Sequence, residues 1–193
     1  LPQTIRQLDA DRMSVRLWIS MQQTSILRVV GNVSSESLNL KLNQDVLNIK
    51  KINSDLLYVN NGTSNTLSLM RMNYKIKDKK INNNKVVIYK NDGNEVKIFI
   101  KKGDPELLKL LSRRTILKNI RLVNKIINSD ISNLQIHLTK YSVLDYFSLT
   151  LGKLNLDYEK EYYAKNISAD IYGTLNVGRV NIKNLDISSN NHS

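Results

Sequence analysis

The sequence predicts an α+β fold in which mostly antiparallel β-strands flank a central helix, or broken helix pair, at about residues 105–128. Three observations lead to this prediction. Apolar and polar residues alternate with a period of two in the first half, apolar residues recur with a helical period in the middle, and alternation returns after residue 130. A length of 193 residues is enough for one good core or two small ones.

Alternation predicts the strands of the first half. It is clearest in residues 13–21, where Met, Val, Leu, Ile and Met occupy the odd positions. The pattern recurs at residues 38–42, 56–59 and 70–76. The strongest local signal is a hairpin, because Asp92-Gly93 separates two β-rich runs at residues 86–89 and 96–100.

The middle of the chain predicts helix. Asp104 is a favourable N-cap and Pro105 suits the first helical position. The apolar positions then change side near residues 112–115, so we expect a bend there with Thr115 capping a second helix. On that second helix the apolar line is Ile116, Ile120, Val123 and Ile127.

Short alternating runs after residue 130 predict a second group of strands. They occupy residues 134–138, 147–156, 167–177 and 180–187, a spacing typical of an antiparallel sheet, sandwich or barrel.

The predicted elements divide the chain into four segments. These are a β-rich part with a basic hairpin (1–103), a basic helical segment (104–128), a second β-rich part (129–188) and a disordered tail (189–193). A single domain overall is equally consistent with the pattern.

The chain is strongly basic, and the charge is concentrated. It carries 29 Lys and Arg against 17 Asp and Glu, a net charge of +12, and residues 75–128 hold a net +10 of it. Such a local positive field attracts a polyanion, usually nucleic acid or an anionic membrane. Asn, Ile and Lys are abundant while Ala occurs three times, which indicates an A+T-rich coding sequence such as that of an organelle, a parasite or endosymbiont, or a virus.

The candidate nucleic-acid-binding residues lie in this basic region. Arg114, Lys118, Arg121 and Lys125 follow one another at i, i+4, i+7 and i+11, a cationic stripe of about 16 Å on a helix. An ordinary solvated helix face is the alternative, although Arg113 broadens the stripe and no acidic residue interrupts it. The predicted hairpin and the loop before it add Lys75, Lys77, Lys79, Lys80, Lys85, Lys97, Lys101 and Lys102.

Little in the sequence suggests catalysis. There is no Cys, there are two His residues, and the seven Gly residues match no phosphate-binding loop. Nucleophilic triads and the usual zinc sites therefore have too few members, and the sequence predicts a non-enzyme without cofactor or metal. No apolar run reaches the roughly 20 residues of a membrane helix, so we expect no integral membrane protein.

The leading functional prediction is a structural RNA-binding protein of a large ribonucleoprotein, such as a mitochondrial ribosome, located in an organellar matrix. Its partners would be rRNA-like RNA and neighbouring proteins. A viral matrix or nucleocapsid-type protein, binding RNA or an anionic membrane, is the first alternative. An adhesin-like surface β-domain is the second, because Asn, Ser and Thr line the strands after residue 130.

Overall fold

The computed structural model describes residues 7–22, 26–42, 45–76, 79–103, 130–141, 143–158, 162–174 and 177–189. In these ranges the protein is all-β, with eleven strands in one antiparallel sheet and no helix. The predicted α+β class is therefore wrong. Its helical part rested entirely on residues 105–128, which lie outside the described residues.

The strands follow the chain in order and are long. They are β1 (Gln7–Asp11), β2 (Ser14–Gln22), β3 (Ile26–Leu42), β4 (Asp45–Asn60), β5 (Ser64–Ile76), β6 (Lys79–Asn91), β7 (Val96–Gly103), β8 (Asp130–Leu138), β9 (Leu144–Tyr158), β10 (Tyr162–Gly173) and β11 (Gly178–Ser189). From β3 onward each strand pairs with the next, while β1 and β2 pair end to end along β3.

Most of the strands predicted from alternation are confirmed, but they are fragments of longer ones. The predicted run 38–42 is the end of the 17-residue β3, and run 56–59 is part of the 16-residue β4. The turn at Asn61-Gly62 and the hairpin at Asp92-Gly93 are also present.

Bulges explain why the alternation was broken. Lys51, Arg71 and Asn83 each have positive φ, and each lies at or beside a shift in the pairing register. An extra residue in a strand reverses the phase of the alternation, so inward apolar residues become three apart, as at Ile49 and Ile52. A strict period of two cannot detect a strand that continues through such a shift.

Serine side chains satisfy backbone groups beside the bulges. Ser35 Oγ lies 2.9 and 2.7 Å from the carbonyl oxygens of Asp11 and Ser37, either of which can accept its single proton. Ser54 Oγ lies 3.1 Å from the carbonyl oxygen of Met70. Both serines are buried. A buried carbonyl without a partner is costly, so these hydroxyls stabilise the irregular part of the ladder.

Asn73 links two bulges directly. Its Nδ2 donates to the carbonyl oxygen of Arg71 at 3.1 Å, and its Oδ1 accepts from the backbone N–H of Asn83 at 3.0 Å. Beside it, Asp55 accepts from Asn32 Nδ2 at 2.7 Å and pairs with the guanidinium of Arg71. Asn73 and Asn32 therefore make specific hydrogen bonds in this irregular part of the sheet.

The chain divides into two compact units, Leu1–Lys101 with His137–Val143, and Lys102–Ile136 with Leu144–Ser193. The buried hydrophobic side chains of the first are Ile49, Ile52, Tyr74, Ile76, Ile81 and Ile100. Those of the second are Ile131, Leu134, Phe147, Leu149, Leu151, Ile167 and Ala169.

Candidate functional site

The pairing register sorts the side chains of the first unit onto two faces, because directly paired residues of an antiparallel ladder point the same way. One face, here called the aliphatic face, carries apolar side chains on every strand from β2 to β7. Its half-buried or exposed members include Val15, Leu17, Ile19, Met21, Leu27, Val29, Val33, Leu38, Leu56, Leu67, Leu69, Met72, Val86, Ile88, Val96 and Ile98.

The aliphatic face is most open at β2. Val15, Leu17, Ile19 and Met21 are 41, 48, 67 and 73% exposed. Leu17 lies opposite Gly31, where an added Cβ would meet its Cδ2 at 2.8 Å and the carbonyl oxygen of Arg16 at 2.1 Å. Glycine is therefore required at this position for β2 to lie close against β3.

Polar groups on the aliphatic face are turned to internal partners. Asn84 Nδ2 donates to the hydroxyl of Tyr74 at 3.1 Å, and the Tyr58 hydroxyl donates to Asn65 Oδ1 at 2.7 Å. The serines on this face bond to bulge carbonyls, as described above. Its described charged side chains in the first unit are at strand ends, at Lys79 and Lys90. The middle of the face therefore presents hydrocarbon.

The opposite side of the first unit, here called the polar face, is rich in lysine. Lys50 pairs with Lys75, and Lys75 pairs with Lys80, so three cations follow one another across β4, β5 and β6. Like charges directly opposite each other are destabilising. These three residues, here called the lysine ladder, concentrate positive charge on the polar face.

Two carboxylates of the polar face pair with arginines. Arg12 Nη1 lies 3.1 Å from Glu36 Oε1, and Arg71 pairs with Asp55. Asp11 also lies on this face, because it pairs with Ser37, which pairs in turn with Lys50.

The structure places seven of the thirteen predicted nucleic-acid-binding residues. Lys75, Lys80, Lys85, Lys97 and Lys101 lie on the polar face, whereas Lys79 lies at an end of the aliphatic face and Lys102 belongs to the second unit. All are exposed except Lys75, which is half-buried. Arg113, Arg114, Lys118, Arg121, Lys125 and Lys77 lie outside the described residues.

The second unit also has an apolar row at its last strand. Val180, Ile182, Leu185 and Ile187 of β11 are 44–68% exposed. On β10, Asp170 accepts from Thr150 Oγ1 at 3.0 Å and pairs with Lys183 Nζ at 2.7 Å. The hydrogen bond from Lys183, and then that from Thr150, lowers the pKa of Asp170 below its ordinary value.

Across the described ranges, no group of three or more His, Cys, Asp or Glu side chains is arranged to hold a metal ion. His137 Nε2 lies 3.9 Å from Glu95 Oε2, beyond hydrogen-bonding distance. In the same ranges, no helix has the length and hydropathy needed to cross a membrane.

Sequence reasoning missed two features that depend on the pairing register, namely the lysine ladder and the continuity of the aliphatic face. Lys50 was not among the predicted residues because it is 25 positions from Lys75 in the chain and meets it only across the β4–β5 ladder. The continuity of the aliphatic face was hidden by the bulges. A usable signal was present in the apolar spacing of three at Ile49 and Ile52, on either side of Lys51.

Comparison of the chain with protein-family models, with curated proteins and with solved structures gives no match.

Proposed function

We propose that this protein binds the acyl chains of lipids on the aliphatic face of its first unit. One observation carries the proposal: apolar side chains remain partly exposed on the same face of six consecutive strands, and the described charges of that face lie at strand ends. Large exposed apolar surfaces mark binding sites for apolar partners.

The chemistry of the face favours hydrocarbon over protein as its occupant. Protein interfaces carry about one hydrogen bond per 100–200 Å² and are enriched in aromatic residues, Met and Arg. Here the partly exposed side chains are Val, Leu, Ile and Met, while the hydroxyls of Tyr58 and Tyr74 have internal partners. Such a face offers apolar contact without hydrogen-bonding groups, which is what an acyl chain needs.

Dimensions and charge agree with a lipid. From Ile81 to Ile88, β6 extends about 24 Å at 3.4 Å per residue. Acyl chains of one bilayer leaflet occupy about 15 Å, half of a hydrocarbon core of about 30 Å. Lys79 and Lys90 flank this stretch on the same face and would lie near an anionic headgroup.

Binding is tested with a fluorescent polyene fatty acid and, by native mass spectrometry, with phosphatidylglycerol. The decisive variant is Val33→Thr with Val86→Thr, which puts two hydroxyls on the aliphatic face with little change in shape. We expect a loss of affinity of about tenfold or more, because each hydroxyl loses hydration when covered by an acyl chain.

The matched control is Val59→Thr with Val87→Thr. These valines are also half-buried, but they lie on the polar face. The control should bind fatty acid like the original protein. Equal affinities for the two double variants, or no binding by the original protein, would refute the proposal.

RNA binding at the polar face is a second candidate, and the lysine ladder is the observation that favours it. Phosphates spaced along an RNA strand would neutralise Lys50, Lys75 and Lys80 and release counterions. In this proposal the protein is a structural component of a ribonucleoprotein, such as the ribosome of an A+T-rich organelle.

The variant Lys80→Glu tests whether the lysine ladder binds RNA or is only a feature of the fold. The change converts a like-charge neighbour into an opposite-charge pair with Lys75, so stability should rise by about 0.2–1 kcal/mol. RNA affinity, measured by gel shift at two salt concentrations, should nevertheless fall. Lys153→Glu, the same charge change at an exposed site of the second unit, is the control. Equal RNA affinities of the two variants would argue against the polar face.

A further inference from the structure

The outer edge of β2 lacks the features by which proteins protect an edge strand. In the described part of the chain β2 pairs with β3 alone, so its other side presents backbone N–H and C=O groups. Natural edges are short, or carry lysine, proline or a bulge. β2 is nine residues long and regular in register, with Arg16 as its one charged residue.

The side chains of β2 are also exposed along its length. The four apolar residues on the aliphatic face are accompanied on the other face by Trp18, which is 61% exposed. An extended edge with exposed apolar side chains is a template for another strand. The question is which strand it accepts.

The pattern of β2 is symmetric about its central residue. From Trp18 outward in both directions the residues are apolar, polar, apolar and polar: Ile19 and Leu17, Ser20 and Arg16, Met21 and Val15, Gln22 and Ser14. An antiparallel pair of such strands related by a two-fold axis at Trp18 matches every apolar residue with an apolar one. Self-complementarity of this kind is what a two-fold interface requires.

We propose that β2 pairs with β2 of a second copy of this chain, antiparallel and centred on Trp18. In this register Leu17 of one copy lies opposite Ile19 of the other, and Arg16 lies opposite Ser20. The two Trp18 side chains form a cross-strand pair on the polar face. The aliphatic faces of the two copies then become continuous.

Charge disfavours one alternative register and one alternative partner. A two-fold pairing centred on Arg16 would place two guanidinium groups directly opposite each other, which is unfavourable. β11 is the last strand at the other end of the order, but it carries Arg179, Lys183 and Asp186, as a protected edge does.

Because the chain contains no cysteine, single engineered cysteines report the register unambiguously. Trp18→Cys should form a covalent dimer on mild oxidation, since directly opposed residues have Cα atoms about 4.5–5.5 Å apart, within disulfide range. Arg16→Cys alone and Ser20→Cys alone should not, because like positions are then about 14 Å apart along the strands. An equimolar mixture of these two variants should cross-link.

A non-covalent measurement accompanies the cross-linking. Sedimentation equilibrium of the unmodified protein should show dimer, and Ile19→Lys should raise the dissociation constant by about tenfold or more, because inward-pointing charges block edge pairing. Ile19 is 67% exposed, so the monomer should keep its far-UV circular dichroism.

Three outcomes would overturn the proposal. One is a protein that stays monomeric at all concentrations, and a second is a dimer that Trp18→Cys does not cross-link. The third is polymer growth with concentration, which indicates pairing of β2 with a different edge. These outcomes can be told apart from a failure of acyl-chain binding. Acyl-chain binding is tested by the double variant Val33→Thr with Val86→Thr, which leaves the residues of β2 unchanged.

Discussion

Asn73 should be worth more to stability than any ordinary surface asparagine of this sheet, because its amide holds two bulges together. The perturbation is Asn73→Ala. It removes the donor to the Arg71 carbonyl at 3.1 Å and the acceptor for the Asn83 N–H at 3.0 Å, and neither backbone group has its regular place in the ladder.

The expected cost follows from these two bonds. A hydrogen bond contributes about 0.5–1.5 kcal/mol net, and the side chain is half-buried, so the loss should be about 1–2 kcal/mol. Urea unfolding measures it as a lower midpoint at an unchanged slope. The control is Asn53→Ala. Asn53 is exposed, pairs with Asn73 across the ladder, and has no side-chain hydrogen bond to another described residue.

Amide hydrogen exchange gives a local readout of the same change. The N–H of Asn83 should exchange faster in Asn73→Ala than in Asn53→Ala, because only the first variant removes its acceptor. If the two variants unfold within about 0.5 kcal/mol of each other, the ordinary range for surface substitutions, then Asn73 does not stabilise the bulges and this reasoning fails.

Three further predictions follow from single sites. Lys51→Gly should be neutral or stabilising by up to about 1 kcal/mol in thermal unfolding, because φ is +53° at this residue, whereas Lys51→Val should destabilise. Gly31→Ala should cost about 1–3 kcal/mol in urea, since a Cβ there overlaps β2, while Gly152→Ala, with nothing nearer than 3.8 Å, should be tolerated. The lowered pKa of Asp170 means that its pair with Lys183 stabilises the fold above the unfolded-state pKa. That stability is lost as pH falls through the folded-state pKa, below about pH 4. Lys183→Met should therefore flatten the pH dependence of the unfolding midpoint in that acidic range.

The strands were predictable where they are regular. Alternation in residues 13–21 and the Asp92-Gly93 turn are local signals, and both correspond to elements of the structure. Strand lengths were not predictable in this way. A bulge at Lys51 shifts the apolar positions by one, so the half of β4 before it and the half after it have opposite phases.

The candidate surfaces depended on contacts that are distant in sequence. Lysines 75, 80, 85, 97 and 101 were identified from charge alone, and the register places them on one face. Lys50 joins them only through pairing with β5. The predicted helical stripe from Arg113 to Lys125 lies outside the described residues and stays a prediction.

Composition and period-two alternation are local properties, so they are enough to show that this chain is strongly basic, free of cysteine and rich in alternating strands. The pairing of these strands into one antiparallel sheet is seen in the fold alone. It also decided which residues share a face, since face and register follow from cross-strand pairing and from the phase change at each bulge. The aliphatic face, the lysine ladder and the unprotected edge of β2 therefore exist only once the strands are paired.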